Sequence, residues 1–328
     1  MDALALGPMC PQMKGIDFDE IYFPKRVLFA GEQDEDCLSL NVVVPGDMSD
    51  DDQGKLPVLV IIHGGGFWLG GSGPFTGEVV ATFAEPIILV SINYRLGSLG
   101  FLTTGDDVIP GNQGLKDQVF ALQWIQENIG AFGGDPEQVT ICGESAGGES
   151  VLAHLVSPMS KGIFKKVSAQ SPPAMWSYPP KEEVGSYFKR LTQALDCSAE
   201  STEAEVECLR SKPWQEIYDI EDPHMMELSQ RVIDGEFIVE SPTVTFSNGN
   251  YNDADLMIGF TSDDGASAIE YFGGGVEFYS NRSLDIGTLD VIISFAFIMQ
   301  LNDDKSSMGP IMRNGQELSN YEVPIYYS

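Results

Sequence analysis

Short apolar runs and segments of helical spacing alternate along this chain. Runs that are almost wholly apolar predict strands buried on both faces, as in the centre of a parallel sheet. The predicted strands of this kind span 56–62 and 87–93, and shorter strands are predicted at 139–142, 165–170 and 255–259. An alternating stretch predicts a strand within 35–45, and 323–327 is predicted to be the last strand.

Between these runs, the spacing of apolar residues predicts helices. A helix that begins at Asn112 or Gly114 carries an apolar face, formed by Leu115, Val119, Leu122, Ile125 and Ile129. Further predictions are helices at 146–156 and 284–301, a helical and more polar insertion at 179–228, and a polar connection at 303–320. Together the elements predict a single α/β domain over 1–328, with a mostly parallel central sheet and helices on both faces.

The run at 139–142 leads into Gly143-Glu144-Ser145-Ala146-Gly147. A G-x-S-x-G sequence between a strand and a helix is a nucleophile elbow, which exposes the serine hydroxyl at a sharp turn. The start of the following helix favours the negative charge that develops during acyl transfer. Upstream, the run at 56–62 ends in the glycine loop 63–66, which we interpret as a candidate oxyanion loop.

Charge and cysteine content exclude several classes of protein. The chain has 49 acidic and 18 basic residues, for a net charge of −31, which disfavours nucleic acid and anionic membrane surfaces as partners. The longest late apolar stretch, 289–301, contains Asp290, Ser294 and Gln300 and is too short to cross a bilayer. The five cysteines show no zinc-site spacing, and we expect neither a metal nor a cofactor.

Taken in order, the motifs resemble those of the type-B carboxylesterase and cholinesterase family, which has the α/β-hydrolase fold. The resemblance rests on 35–42 (E-D-C-L-S-L-N-V), 63–67 (H-G-G-G-F), 93–102, 111–118 (G-N-Q-G-L-K-D-Q), 132–148, 169–172, 234–237 and 259–265. It implies a serine carboxylesterase that hydrolyses small-molecule carboxylic esters through an acyl-enzyme.

The resemblance also implies roles for individual residues. Ser145 would be the nucleophile, and Asp264 would be the acid of the triad, where glutamate is usual in the family. Asp263 is the rival assignment for the acid. The oxyanion hole would consist of the backbone N–H groups of Gly65, Gly66 and Ala146.

Four of the cysteines match the family's disulfide loops. The implied pairs are Cys10 with Cys37 and Cys197 with Cys208, whereas Cys142 is predicted to be a buried free thiol. Two disulfides imply an oxidising, extracellular environment, so we expect a secreted protein although residues 1–7 do not resemble a signal peptide. Asn281 begins a possible glycosylation sequon.

The chain departs from the family at the histidine of the triad. The family's histidine lies beyond the strand that 323–327 resembles, and the chain has three histidines elsewhere, His63, His154 and His224. His63 belongs to the glycine loop, and His154 lies nine residues after the serine on the same helix, about 13 Å along its axis. His224 precedes the acid in chain order. We therefore expect a fragment that lacks both ends of the family's domain and that hydrolyses esters very slowly or not at all.

Two further expectations concern the ligand and the class of protein. Cholinesterases carry a tryptophan in the first disulfide loop, and residues 10–37 contain none, which disfavours choline esters. The main alternative to an enzyme is a non-catalytic, neuroligin-like adhesion or binding homologue. A truncated product that binds esters without turnover is a third hypothesis. The presence of Ser145, Glu144, Asp264 and the loop glycines favours the enzyme.

Overall fold

A six-stranded sheet carries the structure, which is a computed structural model. Its strands lie side by side in the order β1-β3-β2-β4-β5-β6. Their bounds are Leu40–Val43 (β1), Leu56–Ile62 (β2), Ile88–Ile92 (β3), Gly134–Glu144 (β4), Lys166–Gln170 (β5) and Asp255–Gly259 (β6). Strand β2 pairs in parallel with β3 and β4, β4 pairs in parallel with β5, and β1 is antiparallel to β3. This arrangement confirms the predicted mostly parallel α/β sheet.

The structure describes residues 6–12, 32–45, 55–74, 86–173, 178–221 and 230–260, together with the backbone of two short strands, Met312–Arg313 and Gln316–Glu317. The chain divides into two compact units, Met1–Ile258 and Gly259–Ser328. In the second unit, the two short strands pair in an antiparallel arrangement within the predicted polar connection. The predicted helix at 284–301 and strand at 323–327 lie outside the described residues, and the single-domain assignment stays a prediction.

The predicted helices are present wherever the structure describes them. The helices are Gly97–Phe101 (α1), Gln113–Asn128 (α2), Ala146–Val156 (α3), Lys181–Val184 (α4), Ser186–Ala194 (α5), Thr202–Arg210 (α6), Trp214–Glu221 (α7) and Pro242–Ser247 (α8). The apolar face predicted for α2 is buried, and Asn112 precedes the helix with φ 61°. Asparagine tolerates this left-handed conformation better than most residues, which explains the start of the helix.

Burial explains why the apolar runs form the inner strands. All five residues of β3 are buried, and β2, between β3 and β4, buries alternate residues. Helices α4 to α7 fall within the range predicted as a helical insertion, and α5, α6 and α7 contribute to a second apolar cluster. That cluster contains Tyr187, Phe188, Leu191, Leu195, Cys197, Val206, Leu209, Ile217 and Tyr218.

Two disulfides are present with the expected partners. Cys10 bonds Cys37 across a Cα separation of 4.8 Å, and Cys197 bonds Cys208 across 5.4 Å. Cys142 is free, as predicted, but it is half-buried rather than buried. It lies in β4 opposite Ser168 of β5.

Among the described residues, none of the helices has the length and hydrophobicity that crossing a membrane requires. Within the same ranges, His, Cys, Asp and Glu side chains form no group of three or more that would suit a metal ion.

Candidate active site

The turn between β4 and α3 contains Ser145. Its backbone has φ 54° and ψ −123°, a conformation that residues other than glycine rarely adopt. Two hydrogen bonds fix the turn: the N–H of Ser145 donates to the carbonyl of Gln170 at 3.0 Å, and its carbonyl accepts from the N–H of Glu149 at 2.9 Å. Such strain persists only where neighbouring contacts impose it, and it is common at functional sites.

Glycines flank Ser145 because the backbone approaches closely on both sides. A Cβ at Gly143 would lie 2.3 Å from the carbonyl carbon of Gly147, so strand and helix nearly touch there. A Cβ at Gly147 would lie 2.1 Å from the carbonyl oxygen of Ile62, at the end of β2. Any larger residue at either position would push the helix away from the sheet.

The register of the sheet brings the glycine loop to the serine. Ile62 pairs with Gly143, so the loop that follows β2 and the turn that follows β4 leave the sheet at the same edge. A Cβ at Gly64 would lie 3.3 Å from the Cβ of Ser145, which means that the loop passes within one side chain of the serine.

Two backbone N–H groups of the loop have no acceptor within the part of the chain that the structure describes. Gly65 and Gly66 have φ 103° and 64°, and the carbonyl of Gly65 accepts from the N–H groups of Trp68 and Leu69, at 3.1 Å each. No residue in the described ranges accepts a hydrogen bond from the N–H of Gly65 or Gly66. Ala146 is the first residue of α3, so its N–H also has no acceptor earlier in the helix. These are the three donors that the sequence analysis selected.

His63 is a structural part of this loop. Its ring stacks on Tyr94, with centroids 4.3 Å apart, and its Nδ1 lies 2.8 Å from the carbonyl oxygen of Gly64. The hydroxyl of Tyr94 donates to the carbonyl of His63 at 2.9 Å. Burial lowers the pKa of His63 to about 4. An imidazole with so low a pKa and a local hydrogen bond is a poor general base.

His154, in α3, is hydrogen-bonded to residues away from Ser145. Its Nε2 lies 3.1 Å from Oε1 of Gln118, an oxygen that only accepts, so Nε2 donates. Its Nδ1 therefore accepts from the hydroxyl of Ser160, at 2.7 Å. Burial lowers the pKa of His154 to about 3. Both ring nitrogens of His154 therefore have partners. Neither His63 nor His154 is positioned to activate Ser145.

A buried ion pair below the elbow was missed by the sequence analysis. The carboxylate of Glu149, in the first turn of α3, accepts from Nε and Nη2 of Arg231, at 2.7 Å each. The hydroxyl of Tyr178 donates to the same carboxylate at 2.9 Å. Burial raises the pKa of Glu149, and the charge of Arg231 opposes that shift. A glutamate in a largely apolar helix was the available signal, since a buried carboxylate needs a cation.

The remaining predicted residues lie outside the described ranges. Asp264, Asp263, Asn281 and His224 all fall there, so the acid, the glycosylation site and the third histidine stay predictions. The structure brings together Ser145, Ala146 and the glycine loop.

A strained serine between a strand and a helix, beside a glycine loop at the edge of a parallel sheet, defines an α/β-hydrolase fold. Residues 1–308 match the model of the carboxylesterase family, and the chain belongs to that family. The family resemblance read from the motifs is thereby confirmed.

Three curated relatives illustrate the range of the family. Cholinesterase 1 of Branchiostoma lanceolatum is 42% identical over 247 residues, which cover 70% of this chain and 68% of the relative. Esterase FE4 of Myzus persicae is 50% identical over 180 residues, 55% of this chain and 32% of the relative. Neuroligin-2 of Homo sapiens is 34% identical over 296 residues, 82% and 35% respectively. The chain thus spans about a third of the length of two of these relatives.

Proposed function

We propose that this chain carries the nucleophile and the oxyanion hole of a serine carboxylesterase. The observation that carries the proposal is the conformation of Ser145, held at the elbow with the glycine loop one side chain away. The esterase and cholinesterase relatives support the same reaction class.

The chemistry follows from these groups. The Oγ of Ser145 attacks the ester carbonyl carbon, and the electrons of the C=O bond move onto the oxygen. The N–H groups of Gly65, Gly66 and Ala146 donate to this oxyanion, and removing one such donor costs roughly 3–4 kcal/mol of barrier. Collapse of the intermediate expels the alcohol, which takes up the proton that Ser145 lost. Water then releases the acid from the acyl-enzyme in the same two steps.

The proton requires a general base, which neither His63 nor His154 supplies because both are engaged elsewhere. The family resemblance assigns this role to a histidine that follows the strand which 323–327 resembles, and the three histidines of this chain all precede that strand. Asp264 would orient that histidine, as the family resemblance implies. Substrates would be small carboxylic esters rather than choline esters, since residues 10–37 contain no tryptophan.

The first prediction tests hydrolysis with purified protein of residues 1–328 and a short-chain nitrophenyl ester. Without added base, we expect rates near background, because triad knock-outs keep only about 10³–10⁴ of acceleration over water. Added imidazole should supply the base and accelerate hydrolysis by the wild-type chain more than hydrolysis by Ser145→Ala. Imidazole also hydrolyses the ester by itself, and the Ser145→Ala sample measures this background. Equal rates in the two proteins at every imidazole concentration would contradict the proposal.

The similarity to neuroligin-2, over 82% of this chain, favours a second candidate function, non-catalytic binding of another protein. Equal rates in the hydrolysis experiment would favour this candidate. For either function we infer a secreted protein, because the two disulfides require an oxidising compartment, and Asn281 would be glycosylated there.

A further inference from the structure

Arg231 contacts both halves of the candidate site. The edge of its guanidinium faces the elbow helix, where Nε and Nη2 donate to the two carboxylate oxygens of Glu149. Glu149 is in turn bonded through its backbone N–H to the carbonyl of Ser145. One hydrogen-bonded path therefore runs from the guanidinium to the backbone of the nucleophile.

The same guanidinium also contacts the residue that follows the glycine loop. Its central carbon lies 4.3 Å from the ring centroid of Phe67, the residue that follows Gly66. Phe67 is buried, has φ 68°, and accepts a hydrogen bond at its carbonyl from the N–H of Gly97 at 2.8 Å. A planar cation on an aromatic face is a favourable contact, and lysine has no planar group to replace it.

The segment that carries Arg231 is itself anchored. The next residue, Val232, exchanges two hydrogen bonds with the side chain of Asn112, at 2.8 and 3.1 Å. Two residues further on, Oδ1 of Asp234 accepts from the N–H groups of Glu236, Phe237 and Ile238, at 2.9–3.2 Å. The guanidinium is thus fixed at its backbone end, and it can hold the two elements that it contacts.

We propose that Arg231 is a positioning residue that sets the distance between the N–H groups of the glycine loop and Ser145. Its effect on catalysis rests on the proposed function, whereas its effect on the loop does not. A purely structural ion pair would need Glu149 alone and would make no use of the contact with Phe67.

Arg231→Lys separates these roles, because it keeps a cation beside Glu149 and removes the planar face from Phe67. We expect faster amide hydrogen exchange in peptides that cover 63–69, with exchange in 202–221 unchanged. The matched control is Arg95→Lys. Arg95 also forms a two-bond pair, with Asp117 at 2.7 Å for each bond, and should leave exchange at 63–69 unaltered. Unchanged exchange at 63–69 in Arg231→Lys, or an equal increase in the control, would overturn the proposal.

A second variant covers the case in which Arg231→Lys does not fold. Phe67→Leu leaves the ion pair intact and removes the ring, so the same loop should exchange faster. If Phe67→Leu folds and its loop exchanges as in the wild type, the proposal is wrong.

Kinetics connect the loop to the reaction. In the imidazole-supported assay, Arg231→Lys should lower the maximal rate of acylation by about 10²-fold, the effect of misplacing a reacting group by roughly 1 Å, at an unchanged half-saturating ester concentration. If Arg231→Lys changes only the half-saturating ester concentration and leaves the maximal rate unchanged, Arg231 does not position the loop for the reaction. If the wild type forms no acyl-enzyme, the proposed function fails, and the exchange experiment still decides whether Arg231 holds the loop.

Discussion

At the scale of single residues, the site depends on close backbone approach. Gly143 and Gly147 bring β4, α3 and the end of β2 together, and this approach holds Ser145 at φ 54°. The glycines were predicted from the motif, whereas the partner that each glycine touches was not. The contact of Gly147 with the carbonyl of Ile62 joins residues far apart in sequence, and only the sheet register brings them together.

Gly147→Ala tests this approach. The added Cβ would lie 2.1 Å from the oxygen of Ile62, so we expect the free energy of unfolding to fall by about 1–3 kcal/mol, as for overpacked cores. The control is Gly130→Ala, because a Cβ there meets nothing within 4 Å. In urea unfolding, the control should be neutral or slightly stabilised. Equal stability of the two variants would show that the approach at Gly147 is not tight.

At the scale of elements, the apolar runs predicted most strands to within a residue or two. The runs at 56–62 and 255–259 coincide with β2 and β6. Strand β2 lies inside the sheet, where a nearly all-apolar run fits, whereas β6 is the last strand in the order and most of its residues are exposed. The run at 139–142 is the core of a longer strand, β4, whose pairing with β2 is irregular between Leu56 and Val58. Residues 135–137 belong to β4 but precede its regular pairing with β2, and Asp135 and Pro136 are residue types that favour turns. This explains the late start predicted for the strand.

Helices α1 and α8 were not predicted. Each has five or six residues, which is too short for an apolar periodicity to be visible. The ion pair of Glu149 with Arg231 was also missed, because its partners are 82 residues apart and no local pattern connects them. Which arginine or lysine pairs with Glu149 depends on tertiary packing, and the sequence does not show it.

The contact between α2 and α3 includes the buried His154, which hydrogen-bonds Gln118. It predicts how the free energy of unfolding depends on pH. Burial lowers the pKa of His154 from 6.5 to about 3, so below pH 6.5 the unfolded chain binds a proton that the folded chain does not. Above pH 6.5 this histidine therefore costs no stability. As the pH falls from 6.5 toward 3, it lowers the free energy of unfolding by at most about 1.4 kcal/mol per pH unit. His63 adds a similar dependence down to about pH 4.

His154→Gln removes one of these two groups. Urea unfolding between pH 6.5 and 5 should show a shallower loss of stability in the variant than in the wild type. Other titrating groups, Glu149 included, are shared by both proteins and cancel in the difference. Parallel slopes would mean that His154 is not buried as a neutral imidazole.

At the scale of the whole molecule, the order of motifs identified the family, and residues 1–308 match its model. The two disulfides follow the pairs that the resemblance implied, since family spacing carries information that cysteine count does not. The net charge of −31 bears on partners rather than on the fold, because it disfavours nucleic acid and anionic membrane surfaces. Ser145 and its three proposed hydrogen-bond donors all lie in the first unit, Met1–Ile258.

The central claim is that Ser145 forms the acyl-enzyme, and the most direct measurement is the site of acylation. Native chain, imidazole and nitrophenyl acetate are mixed, quenched in acid at short times and digested for peptide mass spectrometry. The account predicts an acetyl ester on Ser145 that is lost in Ser145→Ala and in urea-denatured protein. Acetyl groups on lysines alone, at equal levels in native and denatured chain, would contradict it.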